Sequence, residues 1–168
     1  MNKVHFRRYL FLGLSVTWMV VIFMFSAQQG SDSASLSSSL TYFLLSFVYP
    51  GILDLDAATQ LEIFQTAQFL IRKCAHMSEY AVLWFFWYQF FKTYDISSKR
   101  CLITALGFCF IYACTDEFHQ SMIPGRGPAF TDVLIDTGGA LLFGTIYTGI
   151  EKIITKRKTL ISNREING

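Results

Sequence analysis

Four long, mostly apolar stretches divide the chain. They cover residues 9–26, 72–91, 101–120 and 132–150. A helix needs about 20 residues to cross a bilayer, and aromatic side chains near the ends of such stretches are typical of anchoring at the membrane interface. The pattern therefore predicts an all-α integral membrane protein, a four-helix bundle that forms a single domain over residues 1–168.

The segment between the first two spans, residues 34–70, has a different pattern. Apolar residues recur there at helical spacing, with Ser and Thr between them, until Pro50 and Gly51: Leu36, Leu40, Phe43, Leu44 and Phe47. This spacing predicts an additional amphipathic helical segment at the extracytoplasmic interface that runs into the second span without a breaker. Two roles remain open for it, a cover packed over the spans and a lid over a polar site.

The composition and the placement of charge support a membrane protein. The 168 residues are 52% hydrophobic and only 15% charged, against about 25% charged residues in an average soluble domain. Eleven of the 14 Lys and Arg residues lie before the first span, between the second and third, or in the basic tail 151–168. By the positive-inside rule, both termini are expected in the cytoplasm. This distribution by membrane side gives no reason to expect a nucleic-acid partner, and a homo-oligomer remains open.

Charged residues occur inside three spans, near the same end of each. The motifs are Arg72-Lys73-x-x-His76-x-x-Glu79-Tyr80, Asp116-Glu117-x-His119-Gln120 and Asp132-x-x-x-Asp136-x-x-Gly139. His76, Asp116 and Asp136 each lie 16 residues from a basic residue at the opposite end of their span, or about 24 Å of helix. They are therefore expected at one level, just inside the outer boundary of a hydrocarbon core about 30 Å thick.

Ionisable groups at this depth are costly, so we expect them to pair or to line a wet cavity. Two interpretations remain open. In the first, Arg72, Lys73 and Arg126 pair with the carboxylates only to hold the helices in register. In the second, the charged level is a site that handles a ligand.

These motifs closely resemble those of the VanZ-like family of bacterial membrane proteins. Pro124-x-Arg126 and the weaker Phe25-Ser26-x-Gln28, which follows the first span, also resemble the family. The resemblance implies a cell-envelope protein of the bacterial plasma membrane that contributes to resistance to teicoplanin-type glycopeptides. It adds Ser26 and Gln28 to the candidate binding residues. Asp136 stands where family members often carry Asn, and the resemblance in the second motif covers Asp116-Glu117-x-x-Gln120 without a fixed His at position 119.

A binding or envelope-modifying site is the first functional hypothesis. Arg72, Lys73 and Arg126 lie at headgroup depth, where guanidinium and ammonium groups can hold phosphate. The expected partners are membrane lipids, a lipid-linked cell-wall precursor or a lipoglycopeptide. The remaining candidate binding residues are Gln120, Asp132 and Asp136.

An intramembrane hydrolase or transferase is the second hypothesis. His76 and Glu79 would form a general-base pair, with Asp116 and Glu117 as further catalytic carboxylates. A metal held by His76, Glu79, Asp116 and His119 is a variant of this hypothesis, although the sequence leads us to expect neither a metal nor a cofactor. Transport of a headgroup ranks third, because four spans are few and the charges lie to one side of the midplane.

Overall fold

The chain folds into five α-helices in the part that the computed structural model describes, residues 2–27, 30–124, 127 and 129–167, with side chains described outside 30–37 and 164–167. The helices are α1 (Lys3–Ser26), α2 (Gly30–Val48), α3 (Ala57–Phe91), α4 (Ser98–Gln120) and α5 (Phe130–Asn167). Short 3-10 helices cover Pro50–Asp54 and Lys92–Tyr94. These ranges contain no β-strand, so the predicted all-α class is confirmed.

Polar side chains cap the first turns of α1, α3 and α4. The side chains of Asn2, Asp56 and Ser97 each accept a hydrogen bond from a backbone N–H in the following turn. A hydrogen bond from the Thr59 hydroxyl holds the pKa of Asp56 below its ordinary value. Because the first N–H groups of a helix have no partner within it, such caps determine where each helix begins.

Helix α3 is the centre of the bundle, since it packs against α1, α4 and α5. Its side chains Tyr80, Leu83, Trp84 and Tyr88 are fully buried, and the rings of Trp84 and Tyr88 stack with 4.7 Å between their centroids. The Tyr88 hydroxyl donates a hydrogen bond to Glu151 on α5. The aromatic residues of the second predicted span therefore face neighbouring helices.

Small residues bring α4 and α5 close to their neighbours. Four fully buried residues follow one another at four-residue spacing along one side of α4: Cys101, Ala105, Cys109 and Ala113. On α5, Gly139 lies against the backbone of Met77, and Gly144 lies against the ring of Trp84. Small residues at such positions let helix backbones approach closely, which is a common basis of packing in membranes.

Three helical segments are long and apolar enough to cross a membrane: α1, α4 and Phe130–Asn163 of α5. The other predicted span, residues 72–91, is the second half of α3, which is less apolar but is shielded by the other three. The four spans alternate in direction, and Arg8 near the start of α1 hydrogen bonds Thr93 just after α3. The chain is a multi-pass membrane protein in which α5 continues as a helix through residues 151–167 of the predicted tail.

The segment predicted between the first two spans forms a helical hairpin. Helix α2 runs antiparallel to the first half of α3, with Gln68 donating to the Ser38 hydroxyl at 2.8 Å and the rings of Tyr42 and Phe64 4.3 Å apart. Helix α3 continues into the span without a break, as predicted. In the described part of the chain α2 packs on α3 and on the 3-10 helix Pro50–Asp54, and its role as a cover or as a lid stays a prediction.

The contact at Gly139 generates a stability prediction. A Cβ atom at Gly139 would lie 2.5 Å from the carbonyl oxygen of Met77, whereas one at Gly138 would meet nothing within 4 Å. We expect Gly139→Ala to lower stability by about 1–3 kcal/mol through overpacking. Gly138→Ala, the matched control, should be neutral or slightly stabilising, because Ala favours helix. Thermal unfolding in detergent, followed by tryptophan fluorescence, measures both, and equal midpoints for the two variants would contradict this packing.

Candidate functional site

Charged and polar side chains from four helices gather at the end of the bundle where α1 and α4 end and α5 begins. We call this group the charged layer. It comprises Ser26, Lys73, His76, Glu79, Asp116, Glu117, Gln120, Asp132 and Asp136.

Asp116 is the most buried carboxylate of the charged layer. Its residue is only 3% exposed, and its Oδ2 atom accepts hydrogen bonds from the Ser26 hydroxyl at 2.7 Å and from the Gln120 amide at 3.0 Å. The Gln120 amide also lies 3.4 Å from the Ser26 hydroxyl. This triad connects the end of α1 to the end of α4. It gives Ser26, selected only through a family resemblance, a direct contact with a candidate catalytic carboxylate.

Lys73 and Asp132 form the exposed rim of the charged layer. The Lys73 ammonium lies 2.6 Å from Asp132 Oδ1, with side chains that are 20% and 29% exposed. This pair joins α3 to the first turn of α5. Both groups retain contact with solvent or headgroups. Breaking this ion pair so that each group binds a ligand therefore costs less free energy than breaking a fully buried pair would.

His76 and Glu79 lie next to each other on α3. The distance from His76 Nδ1 to Glu79 Oε2 is 3.4 Å, so the two side chains are in contact, and their role as a general-base pair stays a prediction. The Trp18 indole on α1 donates to the backbone carbonyl of Glu79 at 2.9 Å. This contact fixes the height of α1 against α3 beside the pair.

Glu117 and Asp136 form the buried side of the charged layer, and Tyr80 lies beside them. Glu117 accepts a hydrogen bond from the backbone N–H of Ala129 at 3.0 Å, which ties α4 to the residue before α5. Asp136 is 5% exposed. The fully buried Tyr80 hydroxyl lies within electrostatic range of Asp116 and Asp136 and has no hydrogen-bond partner among the described residues.

The cavity within the charged layer is small. Its volume is about 10 Å³, close to the minimum that holds one water molecule. Among the described residues it is lined by Lys73, His76, Glu117, Gln120, Asp132 and Asp136. A ligand larger than water therefore meets this conformation of the charged layer at its rim.

Not every predicted site residue joins the charged layer. Arg72 is exposed and does not line the cavity. We expected Arg72, His76 and Glu79 on one face of α3, but Arg72 is not part of the charged layer. Gln28 and Arg126 lie outside the described residues. Of the two cations predicted together with Lys73, Arg72 is therefore an exposed side chain, and Arg126 lies outside the described residues.

His119 packs against an aromatic ring and does not face His76, Glu79 and Asp116, its partners in the metal variant of the enzyme hypothesis. Its ring stacks on Phe23 of α1, with 4.3 Å between the centroids. Within the described residues, no three His, Cys, Asp or Glu side chains come together in a way that could hold a metal ion. The metal variant of the enzyme hypothesis, with His76, Glu79, Asp116 and His119 as ligands, is therefore not formed in this structure.

Three aromatic residues around the charged layer were missing from the site residues predicted from sequence. Tyr80 stood in the first motif, and its place four residues after His76 on α3 could have suggested it. The Tyr112 hydroxyl donates to the Met19 carbonyl. No sequence pattern indicated Trp18 or Tyr112 as site residues. They resemble ordinary apolar positions of their spans until the helix packing is known.

The fold and the charged layer define a class: a multi-pass helical membrane protein with ionisable side chains from several spans assembled near one end of the bundle. The VanZ/LLP1 family model matches residues 11–154, which include the whole charged layer and the hairpin. The chain belongs to the VanZ/LLP1 family. No curated protein and no solved structure shows significant similarity to it.

The triad of Ser26, Asp116 and Gln120 generates a second prediction. Ser26→Ala removes one donor from a buried carboxylate, and we expect a loss of about 1–3 kcal/mol of stability. Ser78→Ala is the matched control, because the exposed Ser78 hydroxyl donates only to the Cys74 carbonyl of its own helix. Unfolding in detergent at neutral pH measures both variants. If the two changes have equal effects, the hydrogen bond to Asp116 does not stabilise the bundle.

Proposed function

We propose that this protein is a cell-envelope membrane protein whose charged layer binds, at its rim, the headgroup of a phosphate-bearing lipid, a lipid-linked cell-wall precursor or a lipoglycopeptide. In this role it contributes to resistance to teicoplanin-type glycopeptides. The observation that carries the proposal is the half-buried Lys73–Asp132 pair, set above carboxylates that are buried among three helices.

The charge of the layer favours a headgroup that offers hydrogen-bond donors as well as phosphate. Five carboxylates belong to the described charged layer, against one ammonium group and His76: Glu79, Asp116, Glu117, Asp132 and Asp136. Carboxylates accept hydrogen bonds from hydroxyl and ammonium groups, while Lys73 attracts phosphate as a point charge. A saccharide or amino group attached through phosphate to a lipid would satisfy both.

The position of the charged layer supports recognition of a lipid-borne molecule. The layer lies at one end of the spans, where a headgroup meets the bundle from the side or from above. The excess of Lys and Arg at the opposite end of the spans favours an extracytoplasmic location for the layer. Arg72 is exposed beside Lys73, and Arg126, in the connection between α4 and α5, is expected to add a second guanidinium for phosphate.

The second candidate is an intramembrane hydrolase or transferase. It is favoured by the cavity of about 10 Å³ next to His76 and Glu117, which matches one water molecule. The His76–Glu79 pair would then act as the base that activates this water. In this candidate Asp116 and Glu117 serve as further acids or bases, and the substrate is again lipid-linked.

A comparison of abundance with phenotype separates a ligand site from a network that only holds the helices together. Glu79→Gln keeps the shape of the side chain and removes its charge. We expect membrane abundance within about twofold of the wild type, since a layer near the interface is accessible to water. The gain in tolerance to a lipoglycopeptide, measured as the minimal inhibitory concentration in a susceptible host, should be lost.

Glu62→Gln is the matched control, because Glu62 is exposed on the same helix and outside the charged layer. Arg126→Ala should behave like Glu79→Gln. Loss of abundance in parallel with loss of tolerance would favour the structural network. Normal abundance with normal tolerance in both Glu79→Gln and Arg126→Ala would refute the site.

A further inference from the structure

A groove between α4 and α5 lies beside the charged layer. We call it the α4–α5 groove. Its volume is about 310 Å³, at the lower end of the range of roughly 300–1,000 Å³ found for small-molecule sites. Its lining includes Cys114, Glu117, Phe118, Ser121, Phe130 and Val133. Glu117 also lines the cavity within the charged layer, so the groove and the layer share this side chain.

Most of the groove belongs to helical segments that are long and apolar enough to cross a membrane. Cys114, Glu117 and Phe118 lie on α4, and Phe130 and Val133 lie in the first turn of the qualifying segment of α5. Phe118 and Phe130 are 67% and 66% exposed. Aromatic side chains exposed near the end of a span are typical of contact with the membrane interface, so the groove opens toward lipid.

The level of Glu117 matches the border between hydrocarbon and headgroups. Glu117 lies 17 residues after Arg100, or about 25 Å along the helix, in a hydrocarbon core about 30 Å thick. Arg100 is expected at the opposite border, because basic residues concentrate at that end of the spans. A headgroup can therefore reach Glu117 from the border while its acyl chains stay in hydrocarbon.

The Glu117 carboxylate lacks a cationic partner at this level. The residue is 8% exposed, and its Oε2 atom accepts only the backbone N–H of Ala129. In the part of the chain that the structure describes, its Oε1 atom accepts no hydrogen bond. The Lys73 ammonium, which lines the same cavity, is bonded to Asp132 at 2.6 Å. Because a charge at this depth needs a partner, Glu117 suits a ligand that brings both positive charge and hydrogen-bond donors.

The rest of the lining suits the apolar part of a lipid. Cys114, Phe118, Phe130 and Val133 carry no charge, and the Ser121 hydroxyl already donates to the Phe118 carbonyl of its own helix. An acyl chain can lie against these side chains without leaving a polar group unpaired. A primary ammonium group carries three N–H donors and a positive charge, which is what the Glu117 carboxylate can accept.

We propose that the α4–α5 groove binds a membrane lipid whose headgroup carries a primary ammonium group. Glu117 accepts a hydrogen bond from the ammonium, and the first part of an acyl chain lies against Phe118 and Phe130. The role of this site rests on the proposed function, since the groove is the side from which a lipid reaches the charged layer.

Photo-crosslinking in vesicles tests the proposal. The full chain is reconstituted in phosphatidylglycerol with a trace of phosphatidylethanolamine or phosphatidylcholine, each carrying a diazirine near the ester end of one acyl chain. The two probes have the same net charge, but only phosphatidylethanolamine has N–H donors. Peptide mass spectrometry should locate its adducts on Cys114, Phe118, Phe130 or Val133. We expect about tenfold more of them than with phosphatidylcholine, the effect of one hydrogen bond to a charged acceptor.

Glu117→Gln removes the charge and leaves an oxygen that can still accept the Ala129 N–H. We expect this variant to label equally with both probes, a loss of about tenfold in preference. Glu62→Gln, an exposed control on α3, should keep the preference of the wild type. All yields are compared below the lowest thermal midpoint among the variants, so that every protein is folded.

Ser121 lines the groove and its exposed neighbour Met122 does not, which provides a second matched pair. Ser121→Trp fills the groove and should reduce adducts of both probes on Phe118 and Phe130. Met122→Trp should leave the yield unchanged. Equal yields in these two variants would overturn the proposal, because the labelling would then come from lipid in general contact with the helices.

Two further results would overturn it: equal labelling of the wild type by the two probes, and a preference for phosphatidylethanolamine that persists in Glu117→Gln. The double variant Lys73→Gln/Asp132→Asn separates this site from the proposed function. If the double variant loses a phosphate-bearing lipid that the wild type retains, while the groove shows no preference between the probes, the groove inference fails and the proposed function stands. If the groove keeps its preference and neither protein retains such a lipid, the proposed function fails and the groove site stands.

Discussion

Carboxylates inside a membrane bundle must receive hydrogen bonds or cations from other helices, and this requirement organises the polar end of the protein. Asp116 is nearly fully buried and is bonded by side chains of α1 and α4. Lys73 of α3 pairs with Asp132 of α5, and Glu117 of α4 bonds the backbone just before α5. Each pairing joins two segments, so satisfying the charges also sets the order and height of the spans. Breaking one partner leaves a buried charge, which costs far more than an exposed ion pair contributes.

Close backbone packing makes this arrangement possible. Gly139 lies one turn from Asp136 on α5, and its contact with the Met77 backbone brings α5 against α3 next to His76. A larger residue at position 139 would separate the two helices at the height where Asp136 and His76 meet. The stripe of small residues on α4 has a similar effect further along the bundle. The charged layer therefore depends on small residues that carry no charge themselves.

Much of this architecture could be predicted from the sequence because membranes impose simple rules. Apolar length predicted the spans, and equal spacing from basic residues predicted one level for His76, Asp116 and Asp136. The structure brings Ser26 and His76 to the same end of the bundle as Asp116 and Asp136, but whether these residues form a functional site stays a prediction. Spacing along a helix does not determine the rotation of that helix against its neighbours. For that reason the sequence allowed His119 as a ligand in one variant of the enzyme hypothesis, whereas the structure stacks it on Phe23. The sequence also placed Arg72 among the binding residues, whereas Arg72 does not line the cavity of the charged layer. The hairpin was predicted as helix, but amphipathic spacing does not specify how α2 lies against α3.

The central claim is that the rim of the charged layer holds a phosphate-bearing headgroup, and native mass spectrometry of the purified protein tests it most directly. Lys73→Gln combined with Asp132→Asn removes both charges of the pair together, so that neither is left unpaired. Purified in a mild detergent, the wild-type protein should retain a phosphate-bearing lipid species, and the double variant should lose it while remaining folded. Equal retention of this species by the two proteins would contradict the account.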